Sequence, residues 1–345
     1  MDNISNMELH VWGKSSISII DPESRAAAWL LCLHLAPQDV AFKIVPSSNT
    51  NIAVTNKLPV LIVRRSGVSQ KYEGFSCISS FVSENYPSDT KFIPDGKLSS
   101  LELLANIAFT TYLSRTFHYI NQYNLYVNSK NYELYTRKLF LKYLPFPMMY
   151  NQPLKFHEQA CEQVQIVGLG VNQTLLFSFA SEKEVADTEL VHCDSDEDED
   201  EVAISALHEK VILTKEKNKA LLRETKNTLR CLRLLDGYVS HVVGLFKELN
   251  EEAPVEFAHL FRPKKISSSE LLLYSYFYSL TSIALPDRFV ARYLETKFPA
   301  FWRFAHTITE ALNLTLKREH FRDAQGAEIP SLWNEVNYML GLYKY

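Results

Sequence analysis

Ser195 stands immediately ahead of Asp196-Glu197-Asp198, the setting in which acid-directed kinases place phosphate. With Asp194, Glu199, Asp200 and Glu201 the run reaches seven acids, and a phosphate would deepen that negative charge. The run also suits electrostatic attraction of a basic partner segment, screened by salt within about 8–10 Å. Its plainest reading is a solvated insertion. The stretch 181–201 is polar and low in complexity, and is expected to be disordered.

Other chemistry-bearing residues are sparse. The ten histidines form no His-x-x-x-His pair and have no carboxylate partner at ligand spacing, so no metal site is expected. Gly168 and Gly170 are too close to build a phosphate loop. Cys32, Cys77, Cys161, Cys193 and Cys231 are far apart and odd in number, which argues against a disulfide framework and fits a reducing compartment. Cys32 and Cys77 fall at apolar spacing and are expected in the core. Ser15 and Ser16 follow the first expected strand; they offer hydroxyls to a ligand, or are plain surface serines. No catalytic residue and no cofactor is assigned.

Composition bounds the rest. The 345 residues suffice for two domains, with 46% apolar and 22% charged residues, ordinary for a packed globular chain. Net charge is −4, of which the acidic run contributes −7, so the remainder is +3. A mildly basic body lacks the dominant basic face that nucleic acid requires. The N-terminus carries neither a signal-peptide pattern nor an Arg-rich transit helix. Two apolar runs, 164–180 and 271–285, fall short of the roughly 20 residues of a membrane span.

Periodicity supplies the elements. Residues 9–12 read as a strand, and Asp21-Pro22-Glu23 as a helix start with Asp21 at the cap. Residues 40–45 alternate as a strand, and 60–63 form a wholly apolar one suited to the middle of a sheet. Residues 70–73 make a fourth strand and 75–84 a second helix. After a linker at 88–97 the pattern turns helical: 98–126, 132–144, 155–168, 203–250, 271–285 and a last amphipathic helix to about Leu316. Ser267 and Glu270 are spaced as a capping box.

Pro59, one step ahead of the apolar strand, is the fold-marking residue. In the order β-α-β-β-β-α, a proline there resembles the cis-proline loop of thioredoxin-like proteins. The expected architecture is an α/β N-terminal thioredoxin-like domain, 7–87, followed by an all-α C-terminal domain, 98–345, as in glutathione transferases. Residues 181–201 would then be an acidic insertion in the helical domain. Such transferases hold a carboxylate with an acid-serine pair at the start of a helix. This chain has Gly74 and Phe75 there. An apolar ring at that point would leave a carboxylate desolvated and unsatisfied, so the glutathione site is expected to be lost.

One further stretch narrows the resemblance. Asn131-Tyr132-Glu133-Leu134-Tyr135-Thr136-Arg137-Lys138-Leu139-Phe140 is followed by Leu144-Pro145-Phe146-Pro147-Met148-Met149-Tyr150-Asn151. With Leu9-His10-Val11-Trp12-Gly13-Lys14 and Lys57-Leu58-Pro59-Val60-Leu61, it resembles the fungal metaxin-like subunit of the mitochondrial sorting and assembly machinery. That resemblance implies a non-enzymatic peripheral protein on the cytosolic face of the mitochondrial outer membrane. Its implied partners are a β-barrel assembly protein of the outer membrane, a second metaxin-like subunit and β-barrel precursors. Docking to the import translocase receptor is implied as well. The candidate partner surface is Phe146, Pro147, Met148, Met149 and Tyr150, large apolar side chains on an expected irregular loop, which would otherwise fold back onto the core. The alternative from another class is an active glutathione-dependent transferase.

Overall fold

A computed structural model describes residues 4–65, 68–88, 90–169, 206–249 and 258–340. The acidic run and Ser195 lie outside the described residues.

The chain opens with β1 (Ile4–Val11), α1 (Pro22–His34), β2 (Lys43–Pro46), β3 (Val60–Arg65), β4 (Val68–Glu73) and α2 (Gly74–Asn85). The sheet order is β2-β1-β3-β4, with β1 parallel to β2 and the other pairs antiparallel. This is the thioredoxin-like arrangement, and the Leu58–Pro59 bond is cis. Strand alternation divides the core. Met7, Leu9, Val11, Leu61 and Val63 pack with α1 and α2 in the main cluster, while Val60 and Ile62 join a second one. A strand buried on both faces needs apolar residues at every position, which is why residues 60–63 show no alternation. The second strand begins later than its alternation suggests, because a short turn at Ala36–Gln38 and Asp39, at φ 54°, use up the preceding residues.

The remainder of the described residues is mainly helical: α3 (Ser100–Arg115), α4 (Phe117–Gln122), α5 (Ser129–Asn131), α6 (Arg137–Tyr143), α7 (Met148–Gln165), α8 (Ala206–Leu249), α9 (Ser268–Thr281), α10 (Phe289–Lys297), α11 (Pro299–Thr315) and α12 (Leu332–Met339). The single helix expected over 98–126 is broken. The hydroxyls of Thr110, Thr111, Ser114 and Thr116 each bond the carbonyl four residues back, a contact that bends helices, and Thr116 leaves helical geometry. Beyond the break, Asn121, Asn124, Asn128 and Asn131 are all buried. Asn131 bonds Asn124 and Asp287, Asn128 bonds Asp287, and Asn121 accepts from Ser279. This polar ladder fastens α4 to the far end of α9 and α5 to Asp287 in the segment that follows it.

The helix α9 starts with the capping box the spacing indicated: Ser267 Oγ accepts from Glu270 N, and Glu270 Oε2 accepts from Ser267 N at 3.0 Å. Among the described residues, no helix is long and apolar enough to cross a membrane.

Candidate functional site

The glutathione site expected to be lost would lie at the end of β1, the cis-Pro59 loop and the N-terminus of α2. Pro59 O accepts the Gly74 N–H at 2.9 Å, tying the loop to the helix start. Gly74 adopts φ +76°, a conformation that favours glycine, and a side chain there would lie 3.7 Å from Glu23 Oε2. Glu23, on α1, accepts the Phe75 N–H at 3.2 Å. A helix N-terminus favours an anion. Here the anion comes from the chain itself. The Phe75 ring behaves differently from the sequence expectation: it is buried in the main core beneath α2, and Glu23 stands at the helix end instead.

The segment leaving β1 packs against the helices. Trp12 directly follows β1, and its ring meets Phe140 at 5.7 Å and Phe156 at 5.8 Å, both edge-on. Trp12, Leu58 and Val60 from the sheet half join Tyr126, Tyr132 and Phe140 from the helices in one buried cluster. Edge-to-face aromatic pairs of this kind contribute about 0.5–1.5 kcal/mol beyond their burial. Ser15 and Ser16 are exposed and line a cavity beside this cluster.

Asp21, His10 and Cys32 are among the titratable groups that the fold perturbs. Burial pushes the Asp21 carboxyl up to about 7, with the Glu23 charge adding to it. Asp21 occupies the cap position of α1 without capping it; its carboxylate accepts from Ser24 Oγ instead. Burial lowers His10 to about 4, against the pull of Glu328 and Glu8. Burial raises the Cys32 thiol to about 12. Cys77, expected in the core, is exposed, because the buried face of α2 is set by Phe75, Ile78, Phe81 and Val82.

The structure also assembles a cluster that sequence spacing missed. Ligand atoms of Glu8, His10 and Glu328 lie within 4.8 Å of one another. Arg322 donates to Glu8 Oε1 at 2.9 Å and to both Glu328 oxygens at 2.8 and 2.9 Å, while Arg64 pairs with Glu8 Oε2 at 3.2 Å. Two guanidiniums thus occupy the carboxylates a cation would need, and the cluster works as a clamp. It holds the segment around Arg322 to the sheet, where Arg322 N donates to Ile44 O. The only sequence trace was Glu8-x-His10 pointing inward from one strand.

The proposed partner loop is shorter than expected. The Phe146–Pro147 bond is cis, and Met148 already opens α7. Met148 and Met149 are half-buried and pack against the second cluster, so they are not a free surface. Pro147 is half-buried, Phe146 is 70% exposed, and the exposed Tyr150 ring lies edge-on to Phe146 at 6.2 Å. A second apolar patch was not anticipated: Leu101, Leu104 and Ile107 are exposed on successive turns of α3.

The comparisons with known proteins agree with this geometry. A family model described as an outer mitochondrial membrane transport complex protein, Tom37, matches residues 24–157. The Tom37 C-terminal domain matches residues 185–343. The metaxin-1 homologue of Drosophila melanogaster is 29% identical over 165 residues, which are 47% of this chain and 46% of that protein. The match thus spans about half the length of this curated relative. Among solved structures, a glutathione S-transferase of Ceriporiopsis subvermispora in complex with glutathione superposes with a TM-score of 0.51 at 11% identity. It covers 90% of this chain and 98% of that one, a likeness of fold alone. With both halves of the Tom37 family matched on a glutathione-transferase-like frame, the chain belongs to the metaxin-like Tom37 family.

Proposed function

We propose that the protein is a non-enzymatic subunit of the mitochondrial outer-membrane sorting and assembly machinery, peripheral on its cytosolic face. In this reading it binds a membrane-embedded β-barrel assembly protein and a second metaxin-like subunit. It supports insertion and release of β-barrel precursors and docks to the import machinery. Family membership supports an outer-membrane transport complex as the setting. The observation that supports the non-enzymatic part is Glu23, which accepts the Phe75 N–H at the helix end that a ligand carboxylate would take in a transferase, beside the Trp12–Phe140 packing after β1.

Two patches suit partner contact. Leu101, Leu104 and Ile107 line one, and Phe146 and Tyr150 form the other. Exposed clusters of large apolar side chains mark interaction surfaces more often than isolated ones do. The test is a tagged purification from gently solubilised mitochondria, read by mass spectrometry. Recovery of an outer-membrane β-barrel protein with a second metaxin-like subunit supports the proposal. A tagged protein that stays in the cytosol and brings down neither would end it.

A further inference from the structure

Arg25 is buried at 6% exposure on α1, and among the described residues it has no carboxylate partner. Its Nη2 donates to Ile17 O at 2.7 Å and its Nη1 to Asn313 Oδ1 at 3.2 Å. The Nε–H is buried with no hydrogen-bond partner. The guanidinium carbon lies 4.2 Å from the centre of the Tyr278 ring, which offsets part of the desolvation cost. A buried cation without a counter-charge is otherwise expensive, and proteins usually pair such groups or coordinate them.

This arginine lines a cavity of about 920 Å³. That lies within the range of roughly 300–1,000 Å³ in which small molecules bind. The charges around it are lopsided. Lys14, Arg25, Lys142 and Arg318 line it, against Asp323 as the one acid among its lining residues. The three other cations are exposed at the rim, while Leu139, Tyr143 and Leu316 supply apolar wall. The β1–α1 loop borders the cavity, and the cavity's Tyr135, Leu139 and Tyr143 wall packs against the cluster that contains Trp12.

We propose that this cavity binds a small oxyanion, with the anionic head received by Arg25 and the rim cations Lys142 and Arg318. A tetrahedral or planar oxyanion matches a guanidinium fork, and such charge-assisted bonds are about twice as strong as neutral ones. The anion is either a free phosphate or the head group of an amphiphile whose apolar body lies against Leu139 and Leu316. This assignment does not depend on the assembly-machinery role.

Isothermal titration calorimetry on the full chain decides it, with three probes: inorganic phosphate, octyl phosphate below its micellar range, and octanol. Saturable binding of octyl phosphate, weakened at least tenfold in the Lys142→Glu/Arg318→Glu variant, supports the site. Arg25→Met should abolish binding if it folds; the rim variant changes only exposed residues and keeps the test decisive if it does not. Inorganic phosphate binding as tightly as octyl phosphate assigns the site to the free anion, and much weaker binding assigns it to an amphiphile head. Binding of octanol as tight as octyl phosphate, no binding of either phosphate, or binding untouched by the rim variant would each overturn the proposal.

Discussion

Glu23 and Phe75 are 52 positions apart in sequence, yet the carboxylate of one accepts the backbone N–H of the other at 3.2 Å. A side chain of α1 thereby serves the N-terminus of α2, and Gly74 supplies the positive φ with which the chain turns into that helix. Removing it should act like the loss of a helix cap: Glu23→Ala is expected to lower stability by about 1 kcal/mol. Denaturant unfolding measures it. Glutathione should shift the melting temperature of neither protein. A site filled at a hundred times its dissociation constant would add about 2.7 kcal/mol, so a clear shift in the wild type would show that the cleft is open.

The fully buried Glu270 accepts from Ser267 N at 3.0 Å, Leu260 N at 3.1 Å and Ser267 Oγ at 2.9 Å, and its Oε1 lies 3.0 Å from His259 Nδ1. Its loss strands several buried groups at once. Ser267→Ala should cost about 1 kcal/mol, the usual value of a cap. Glu270→Ala should cost about 3 kcal/mol or more, because unsatisfied buried donors are added to the lost cap. Equal costs for the two variants would mean that Glu270 does no more than cap.

Asp21 and His10 should give opposite pH dependences. The folded Asp21 carboxyl titrates at about 7 against an ordinary 3.8, so the native state binds more protons and stability falls as pH rises from about 4 to 7. The folded His10 titrates at about 4 against an ordinary 6.5, so the unfolded state binds more protons and stability rises with pH across about 4 to 6.5. The two slopes oppose each other in the shared window. Asp21→Asn should therefore steepen the loss of stability toward acid, and His10→Gln should reduce it. Chemical denaturation at pH 4.5, 5.5 and 6.5 reads both slopes.

Phe140 and Phe146 are the same residue type six positions apart, with opposite surroundings. Phe140 is fully buried in the second cluster, and Phe146 is 70% exposed. Phe140→Ala should lose about 3–5 kcal/mol, the range for a buried aromatic. Phe146→Asp should stay within about 0.5 kcal/mol of wild type. In pull-downs from solubilised mitochondria, the Phe146→Asp protein should recover less of its partners. Undiminished recovery would remove this patch from the interface and leave the α3 patch as the candidate.

What the sequence determined by itself was local or strictly periodic. The unbroken apolar run at 60–63 indicated a strand covered on both faces, and β3 is one. Pro59 at its head marked the cis loop, and Ser267 with Glu270 marked the start of α9. Each depends on neighbours a few residues away, whose geometry backbone chemistry fixes. Tertiary structure decided the rest, because packing chooses among residues that are locally equivalent. Cys77 and Ile78 are adjacent on one helix, and only the position of the sheet settled which one is buried. Arg322 reaches Glu8 across 314 positions, and no spacing rule joins them. Met148 and Met149 looked as free as Phe146 until α7 packed them against the cluster that contains Trp12 and Phe140. The buried Arg25 beside its cavity is likewise a product of the assembled fold: its sequence neighbours say nothing of a cation with no carboxylate partner among the described residues.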